Sequence, residues 1–461
     1  MKLRIEKAVY GGAGLARVPV GEAAHPGEAG KTIFVPMTLP GELVDAHITE
    51  DRNTFANAEL DEVLESAPAR TTPGCPYYGL CGGCHYQHAT YPQQLEIKLA
   101  IFRETLERAG VVRTSSTSFN STRASNIISA EPWGYRNRIR LHVRPASSGE
   151  PAALCYRQRG SRTLLRVEQC PIAAPVLVRT LQAIQRLPSS LSLDRLCREV
   201  EIFTNSEQDA VLLSLTTTGQ AIDAADDLEH FCESINPTVP ELQGASIFAE
   251  PSDALKPINA SSNRTIIAKW GKQSLNYYAA DYNYRVSTGA FFQTNRFLVD
   301  DLVHLVTSNY SGDLAWDLYA GVGLFARALT RSFKLVRAVE PAPISCSDLR
   351  HNLDGTRHKI VASTTLDFLR LQSATGAAKR PASHPDLVVV DPPRAGLGSK
   401  VSTLLASIAP HDIVYVSCDP ATLARDLRAL IQSGYQLHST TLVDLFPQTF
   451  HMESVSRLSL R

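Results

Sequence analysis

Cys418 lies where a strand pattern in the sequence changes to a helix pattern. The apolar run 411–416 is typical of a buried strand, and the stretch from Ala421 onward is typical of a helix. Asp419 is a preferred N-cap residue and Pro420 suits the first helical position, so Cys418 abuts a predicted helix N-terminus. The partial positive charge there favours a thiolate. We therefore expect a nucleophile, with an inert packing cysteine as the alternative.

A glycine-containing turn further upstream predicts a nucleotide-type pocket. In the run DLYAGVG, residues 317–323, the glycines allow a ligand to approach the backbone closely. Glu340 ends the next predicted strand, about twenty residues on, where an acid typically holds ribose hydroxyls. Asp317 and the lack of a third glycine favour S-adenosylmethionine over NAD. A structural turn without a ligand is the alternative.

Asp391 closes another predicted strand and is followed by two prolines and Arg394. A carboxylate at the carboxyl end of a strand, followed by two prolines, predicts a rigid loop at the edge of the ligand crevice. DNA adenine methyltransferases carry an aromatic residue where Arg394 stands. Methylation of an adenine amino group is therefore disfavoured.

A nucleophilic cysteine beside a methyl donor indicates methylation of carbon-5 of a pyrimidine. Carbon-5 is a poor nucleophile until a thiolate adds to carbon-6, and a base must later remove the carbon-5 proton. The candidates for that base are Glu453 and His451 in the run FHMES. Glu453 directly precedes a last predicted strand, which favours it over His451.

Three cysteines between residues 75 and 84 have a spacing typical of metal ligands. Cys75, Cys81 and Cys84 form the pattern C-x5-C-x2-C, which leaves zinc and iron–sulfur ligation open. The start of the chain lacks the apolar core of a signal peptide, and no apolar run is long enough for a transmembrane helix. We expect a cytoplasmic protein whose nine cysteines form no disulfides.

Basic residues are concentrated in one segment of a chain that is otherwise balanced in charge. The 461 residues include 46 basic and 46 acidic ones, which disfavours a general polyanion binder. Between residues 135 and 167, however, Glu150 is the only acid among eight arginines: Arg136, Arg138, Arg140, Arg144, Arg157, Arg159, Arg162 and Arg166. This pattern predicts a phosphate-contacting surface, with a solvated sheet surface as the alternative.

The elements that must position these residues form three predicted domains. Residues 1–68 indicate a small β-barrel followed by a linker, and 69–275 mix strands and helices, including a helix over 93–110 that we expect to dock on the catalytic domain. The polar stretch 114–126 is predicted as a loop. Residues 276–461 alternate strands and helices, which predicts a parallel sheet.

In their order along the chain, the motifs resemble those of the RNA 5-methyluridine methyltransferase family, S-adenosylmethionine-dependent enzymes of the 23S ribosomal RNA (uracil-5-)-methyltransferase type. The resemblance covers nearly the whole chain and rests on these runs: YGGAGLAR, FVPMTLPGE, CPYYGLCGGCHYQH, FFQTN, DLYAGVGLF, DPPRAGL, VSCDPATLARD and HMES. It implies a multidomain α/β protein. An N-terminal OB-like TRAM β-barrel that binds RNA would precede a central α+β iron–sulfur domain and a C-terminal Rossmann-like class I methyltransferase domain.

The resemblance also implies roles for individual residues. Cys418 would be the nucleophile and Glu453 the general base. The contacts to S-adenosylmethionine would be Gln293, Tyr319, Glu340, Asp367 and Asp391. A [4Fe-4S] cluster with a structural role would be held by Cys75, Cys81, Cys84 and Cys170.

We expect a monomer that acts on RNA and not at a membrane. Ribosomal RNA of the 23S type is favoured, because the TRAM-like domain and the cluster motif occur together, and transfer RNA is the alternative. A non-catalytic RNA-binding protein on the same fold would be expected to have lost Cys418 or Glu453, and both are present. An NAD-linked oxidoreductase is disfavoured by the glycine pattern.

Overall fold

A computed structural model of the protein describes residues 1–18, 30–112, 127–147, 150–188, 191, 193–218, 224–250, 264–376 and 384–461. The stretch 114–126, predicted as a loop, lies outside the described residues. The chain divides into two compact units, and the first comprises Met1–Thr105, Arg157–Leu165 and Phe446–Met452. The second comprises Leu106–Tyr156, Arg166–Leu445 and Glu453–Arg461. Within the described residues, no helix is long and apolar enough to cross a membrane.

The first unit is built on a six-stranded sheet and one long helix. Its elements are β1 (Lys2–Arg4), β2 (Lys7–Ala8), β3 (Ala13–Arg17), β4 (Thr32–Pro36), β5 (Leu43–Asp51), β6 (Phe55–Glu65) and α1 (Tyr91–Arg108). The strand order is β1-β5-β6-β4-β3-β2. Buried and solvent-facing residues alternate along β4, with Ile33 and Val35 fully buried, which is the pattern of a strand with one face on a core. The helix predicted over 93–110 is α1; its docking stays a prediction.

A buried carboxylate fixes the segment that follows this sheet. Glu42 is fully buried and accepts hydrogen bonds from Arg70 Nε (2.5 Å) and Arg70 Nη2 (2.7 Å), and from the Leu39 backbone N–H (2.8 Å). Burial alone would raise the pKa of Glu42, but these hydrogen bonds outweigh it and lower the pKa. The predicted linker after the barrel is therefore anchored to it.

The second unit contains most of a seven-stranded sheet, together with a hairpin and an eight-stranded sheet, and residues 157–165 of the seven-stranded sheet segment belong to the first unit. The strands of the first two are β8 (Arg138–Arg144), β9 (Ala153–Arg157), β10 (Leu164–Arg166), β11 (Glu199–Thr204), β12 (Val211–Thr218), β13 (Leu242–Glu250), β14 (Thr265–Gly271), β15 (Ser274–Ala279) and β16 (Tyr282–Ser287). The sheet order is β10-β9-β8-β11-β12-β13-β14, and β15 pairs with β16.

The eight-stranded sheet has the order β19-β18-β17-β20-β21-β23-β22-β7. Its strands are β7 (Ile127–Ile128), β17 (Gly312–Leu318), β18 (Phe333–Val339), β19 (His358–Val361), β20 (Leu387–Val390), β21 (Asp412–Ser417), β22 (Tyr435–Val443) and β23 (Glu453–Leu460). The helices of the unit are α2 (Pro175–Gln185), α3 (Leu193–Leu196), α4 (Ala224–Ile235), α5 (Val299–Thr307), α6 (Leu324–Leu329), α7 (Pro343–Leu353), α8 (Thr365–Gly376), α9 (Gly398–Ile408) and α10 (Pro420–Gln432).

The chain order of this sheet reverses between β17 and β20. Strands β17 to β21 are parallel, as the sequence predicts, and helices lie between them in the chain. All four residues of β20 are buried, which is typical of a strand covered on both faces. Ligands bind outside the carboxyl ends of such strands, at the point where the order reverses. The turns after β17 and β20 therefore flank the expected crevice.

Candidate active site

The turn after β17 leaves its backbone open to a ligand. Tyr319, Gly321 and Gly323 all have positive φ, at 68°, 55° and 93°. A Cβ on Gly323 would lie 2.6 Å from Leu349 Cδ1, so this glycine is required for packing, whereas a Cβ on Gly321 would meet no atom within 4 Å. A tyrosine with positive φ is unusual, and such conformations are found at functional sites.

Glu340 follows β18 and is oriented by the same turn. Its Oε2 accepts a hydrogen bond from the Gly321 N–H (3.0 Å), and its Oε1 accepts one from the Ala342 N–H (2.7 Å). The residue is 9 % exposed, and burial raises the pKa of its carboxyl group. The carboxylate is thus fixed at the edge of the crevice, where the sequence predicts a ribose contact.

Two aspartates at this edge form no ion pair within the described residues. Asp317 is fully buried, and only the backbone N–H of Ala326 opposes the rise of its pKa. Burial, and then the nearby Asp391 and Glu340, raise the pKa of Asp317 to about 8. Burial raises the pKa of Asp391 to about 7. Unneutralised acids in a crevice are suited to a cationic ligand group.

The other two predicted cofactor contacts differ in exposure. Gln293 is buried at 7 % exposure, and its backbone oxygen accepts a hydrogen bond from Asn137 Nδ2 (2.8 Å). Asp367 is exposed in the first turn of α8, where it accepts hydrogen bonds from Thr364 Oγ1 (2.7 Å) and Arg370 Nη1 (3.3 Å). Its carboxylate is engaged locally, so its predicted role has less structural support than those of the buried residues.

Cys418 lies between β21 and α10, as the sequence predicts. Asp419 caps the helix, because its Oδ1 accepts hydrogen bonds from the N–H groups of Ala421 (3.1 Å) and Thr422 (2.9 Å). Pro420 is the first residue of the helix. The thiol is half-buried at the carboxyl edge of the sheet.

Burial and nearby acids act against the thiolate that the helix terminus is expected to favour. Burial first, and then the carboxylates of Glu453 and Asp391, raise the pKa of Cys418 to about 12. Arg394 acts in the opposite direction and lowers it. The sequence-based argument considered only the helix and not the acids that the fold brings to the thiol.

The strand register brings Cys418 and Glu453 together. Strand β23 runs antiparallel to β21, with Ser417 opposite Ser454. The next pair in this register is Cys418 and Glu453, and directly opposed residues point to the same face of a sheet. Glu453 is 4 % exposed, and its Oε1 has no hydrogen-bond partner among the described residues. Burial, and then Asp391, raise its pKa well above the ordinary value, whereas Arg394 lowers it.

His451, the other candidate base, packs among aromatic rings of the first unit. Its ring centroid lies 4.2 Å from that of Phe450 and 5.9 Å from that of Phe446. These contacts favour a packing role. The structure therefore supports Glu453 as the stronger candidate.

The predicted cluster ligands are divided between the two compact units. Cys75, Cys81 and Cys84 belong to the first unit, Cys170 belongs to the second, and all four are half-buried. In the part of the chain that the structure describes, no group of three or more His, Cys, Asp or Glu side chains could hold a metal ion. The iron–sulfur cluster therefore stays a prediction.

The arginine-rich segment is more strongly neutralised than its sequence predicts. Arg138 and Arg140 in β8 donate to Glu201 of the neighbouring strand β11, at 3.0 Å and 2.9 Å. Arg144 pairs with Glu150 at 2.8 Å. The expected basic surface is therefore reduced in this sheet, because an acid distant in the sequence lies between two of its arginines.

Arg394 is the functional residue that sequence reasoning used only to exclude adenine. The structure makes it the cation that lowers the pKa of both Cys418 and Glu453. A signal was available in the sequence, since Arg394 is three residues beyond Asp391 in a rigid proline-containing loop. A strand-end loop places such a residue at the crevice, but only the fold shows which groups it faces.

The fold and the site define a class I, S-adenosylmethionine-dependent methyltransferase. Comparisons with known proteins agree with this class. The family described as tRNA (Uracil-5-)-methyltransferase matches residues 255–460, and the TRAM domain matches residues 1–60. The structure of Pyrococcus abyssi tRNA (uracil-54, C5)-methyltransferase in complex with S-adenosyl-L-homocysteine has a TM-score of 0.68 and 21% identity, and covers 99% of this chain and 100% of that one. At this identity the likeness shows the fold alone.

Two relatives are similar over most of their length. An uncharacterized RNA methyltransferase of Aquifex aeolicus is 30% identical over 465 residues, which cover 100% of this chain and 99% of the relative. The 23S rRNA (uracil(1939)-C(5))-methyltransferase RlmD of Salmonella typhimurium is 30% identical over 433 residues, which cover 92% of this chain and 90% of the relative. The chain belongs to the RNA (uracil-5-)-methyltransferase family. The predicted family, the TRAM domain, the class I methyltransferase fold and the enzymatic class are confirmed.

Proposed function

We propose that this protein methylates carbon-5 of a specific uridine in 23S ribosomal RNA, with Cys418 as nucleophile and Glu453 as general base. The observation that carries the proposal is the β21–β23 register, which ends with Ser417 opposite Ser454, so that Cys418 and Glu453 are the next residues at the carboxyl edge of the sheet. Asp317, Glu340 and Asp391 provide negative charges at the same edge, and Arg394 provides a positive charge near Cys418. This chemistry requires both.

The reaction begins when the Cys418 thiolate forms a bond to carbon-6 of the uracil ring. The electron pair of the ring double bond moves onto the O4 side as an enolate, and carbon-5 becomes nucleophilic. When bound, S-adenosylmethionine would supply the methyl group: carbon-5 takes it from the positively charged sulfur, the sulfur–methyl bond breaks, and S-adenosylhomocysteine leaves as a neutral thioether. Glu453 then removes the carbon-5 proton, the sulfur–carbon-6 bond breaks, and the ring double bond and the thiolate are restored.

The electrostatics of the site suit these steps. Glu453 and Asp391 raise the pKa of Cys418, and Arg394 lowers it. Arg394 therefore favours the thiolate form of Cys418, both when it attacks carbon-6 and when it leaves at the end of the reaction. The burial of Glu453 raises its pKa and makes its carboxylate a stronger base than an exposed glutamate. The unpartnered Oε1 of Glu453 is available to accept a proton.

The crevice residues fit S-adenosylmethionine. Glu340 would hold the ribose hydroxyls, since its carboxylate is fixed beside the Gly321 backbone. The unneutralised carboxylates of Asp317 and Asp391 suit the positive charges of the cofactor. Tyr319 and Gln293 complete the predicted set, and Asp367 is its least supported member.

The relatives support 23S ribosomal RNA as the substrate. RlmD of Salmonella typhimurium, named as an enzyme of 23S rRNA, shares 30% identity over 92% of this chain. The Pyrococcus abyssi enzyme, named for transfer RNA, shares 21%. The TRAM domain would contribute to RNA binding, and the exposed arginines would contact phosphates.

The nucleophile assignment is tested by replacing Cys418 with alanine. We expect methyl transfer from tritiated S-adenosylmethionine to RNA to fall by at least about 10⁴-fold, because the uncatalysed carbon-5 is unreactive. The RNA is total RNA from cells of the source organism that lack the gene. Cofactor binding by calorimetry should be unchanged. Retained methyl transfer would exclude Cys418 as the nucleophile.

The target RNA is identified by mapping 5-methyluridine in cells without the gene. We expect one position in 23S ribosomal RNA to lose the modification and transfer RNA to keep it. Loss from transfer RNA alone would transfer the assignment to that substrate. An unchanged modification pattern, with no methyl transfer by the purified protein, would favour a non-catalytic RNA-binding protein on this fold.

The [4Fe-4S] cluster at Cys75, Cys81, Cys84 and Cys170 stays a prediction from spacing and resemblance. No step of the proposed reaction needs it. Iron and acid-labile sulfide in anaerobically purified protein provide the measurement. Stoichiometric zinc without sulfide, or no metal, would exclude the cluster.

A further inference from the structure

A buried carboxylate on α10 ties the loop that carries Arg394 to the helix that begins after Cys418. We propose that Asp426 is a positioning residue for the methylation reaction, which holds Arg394 beside the thiol of Cys418. This inference rests on the proposed function and adds a residue to which that function assigns no role.

Asp426 accepts three hydrogen bonds while it is only 1 % exposed. Its Oδ2 accepts from the Leu397 backbone N–H (2.7 Å) and from the Tyr415 hydroxyl (2.8 Å). Its Oδ1 accepts from Arg425 Nε (2.9 Å). A Cβ on Gly396 would lie 2.4 Å from Asp426 Oδ2, so the loop backbone lies directly against the carboxylate.

Two other side chains of α10 bind the same loop. Thr422 Oγ1 donates to the backbone oxygen of Arg394 (3.1 Å), and Arg425 Nη2 donates to that of Ala395 (2.9 Å). Thr422 and Asp426 are four residues apart and so share one face of the helix. The loop is therefore held by one helix at Arg394, Ala395 and Leu397.

These contacts connect the loop to both elements that flank the thiol. Tyr415 lies in β21, three residues before Cys418, and α10 begins two residues after it. A carboxylate that bonds the strand, the helix and the loop fixes the three with respect to one another. Without it, the loop loses its buried anchor, and Arg394 is free to move away from Cys418.

The first test compares Asp426→Ala with the wild-type enzyme. We expect kcat for RNA methylation to fall about 10- to 100-fold, because a misplaced positioning group costs this much, with little change in KM for S-adenosylmethionine. Alkylation of Cys418 by iodoacetamide, followed at its peptide by mass spectrometry without RNA, should slow and shift to higher pH. Arg394→Ala should shift it equally, and the double variant should shift it no further.

The conservative variant separates positioning from loss of charge. In Asp426→Asn the amide oxygen can still accept from the Leu397 N–H and the Tyr415 hydroxyl, and only the half-exposed Arg425 loses its bond. We expect it to restore most of kcat and the alkylation profile. Should Asp426→Ala not fold, the double variant Thr422→Val, Arg425→Gln loosens the loop with Asp426 intact and should slow alkylation.

A matched control is available in the same unit. Asp348 in α7 is fully buried and accepts from Arg285 Nε (2.8 Å) and the Ser287 N–H (2.8 Å), far from this loop in the chain. Asp348→Ala should destabilise the protein without changing the alkylation of Cys418. Alkylation and kcat unchanged in the Asp426 and Thr422–Arg425 variants would overturn the inference. If the wild-type enzyme transfers no methyl group, the proposed function is overturned instead. The alkylation rates would then still show whether Asp426 holds Arg394 beside Cys418.

Discussion

The two large sheets of the second unit differ in whether their buried carboxylates are paired with arginines. At the carboxyl edge of the eight-stranded sheet, Asp317 and Glu453 are buried, and neither carboxylate forms an ion pair within the described residues. In the seven-stranded sheet, the buried Glu201 is paired with Arg138 and Arg140. The pKa of Asp317 is accordingly raised, whereas Arg138 and Arg140 outweigh the burial of Glu201 and lower its pKa.

This difference separates a site from a scaffold. A buried acid without a partner costs stability and persists where a ligand or a reaction uses it. A buried acid between two arginines is satisfied within the sheet, and Arg138 also packs over the Phe203 ring at 4.2 Å. The first arrangement is suited to cofactor binding and proton transfer, and the second holds strands together.

The largest expected effect is at the unneutralised edge. Replacing Glu453 with glutamine should lower turnover about 10²- to 10⁴-fold, because the carbon-5 proton can no longer be removed. Addition of Cys418 and methyl transfer should still occur. The enzyme should therefore accumulate as a covalent complex with methylated RNA, which a denaturing gel with tritiated cofactor detects.

The matched variant Cys418→Ala, Glu453→Gln should form no such complex. A complex that persists in the double variant would mean that another residue forms the bond. Rapid turnover in Glu453→Gln would remove Glu453 from the role of base and return His451 to consideration.

A second prediction concerns the stability cost of Asp317. Its pKa is about 8 in the folded protein and about 4 when unfolded, so its contribution to stability is lost as the pH rises between these values. Asp317→Asn should remove this loss and stabilise the protein at pH 8 on the order of 5 kcal/mol, with little effect near pH 4. Thermal unfolding midpoints at pH 5 and pH 8 measure the difference.

The same variant should bind S-adenosylmethionine more weakly, because it removes a crevice carboxylate. Asp313→Asn, whose side chain is 73% exposed, serves as the control and should show no comparable pH dependence. If Asp317→Asn and the wild type have equal unfolding midpoints at both pH values, the pKa of Asp317 is not raised in the folded protein.

The smallest expected effect tests the arginine segment. Arg162 is exposed and forms no ion pair within the described residues, whereas Arg140 is bonded to Glu201. Arg162→Ala should weaken RNA binding a few-fold. The slope of the logarithm of the binding constant against the logarithm of the salt concentration should become shallower by about one, because one phosphate contact is lost. Arg140→Ala should change both less, as measured by filter binding at several salt concentrations. An equal or larger loss in Arg140→Ala would show that the ion pair opens to meet RNA.

The sequence by itself determined the elements that carry the chemistry and their order. Short apolar strands alternating with helices specify a parallel sheet, and chemistry-bearing residues at their carboxyl ends must then share one edge. The cap at Asp419 and the start of α10 at Pro420 were also predictable, because they depend on local hydrogen bonds and on a fixed φ.

Only the tertiary structure decided how the charges of these residues are balanced. The pKa of Cys418 depends on Asp391 and Arg394, which share one loop, and on Glu453, which lies in another distant segment of the chain. Glu201 likewise reaches two arginines about sixty residues away in sequence because β11 pairs with β8. Local sequence fixes helix caps and strand ends, whereas burial and Coulomb interactions depend on distances in space that only folding creates.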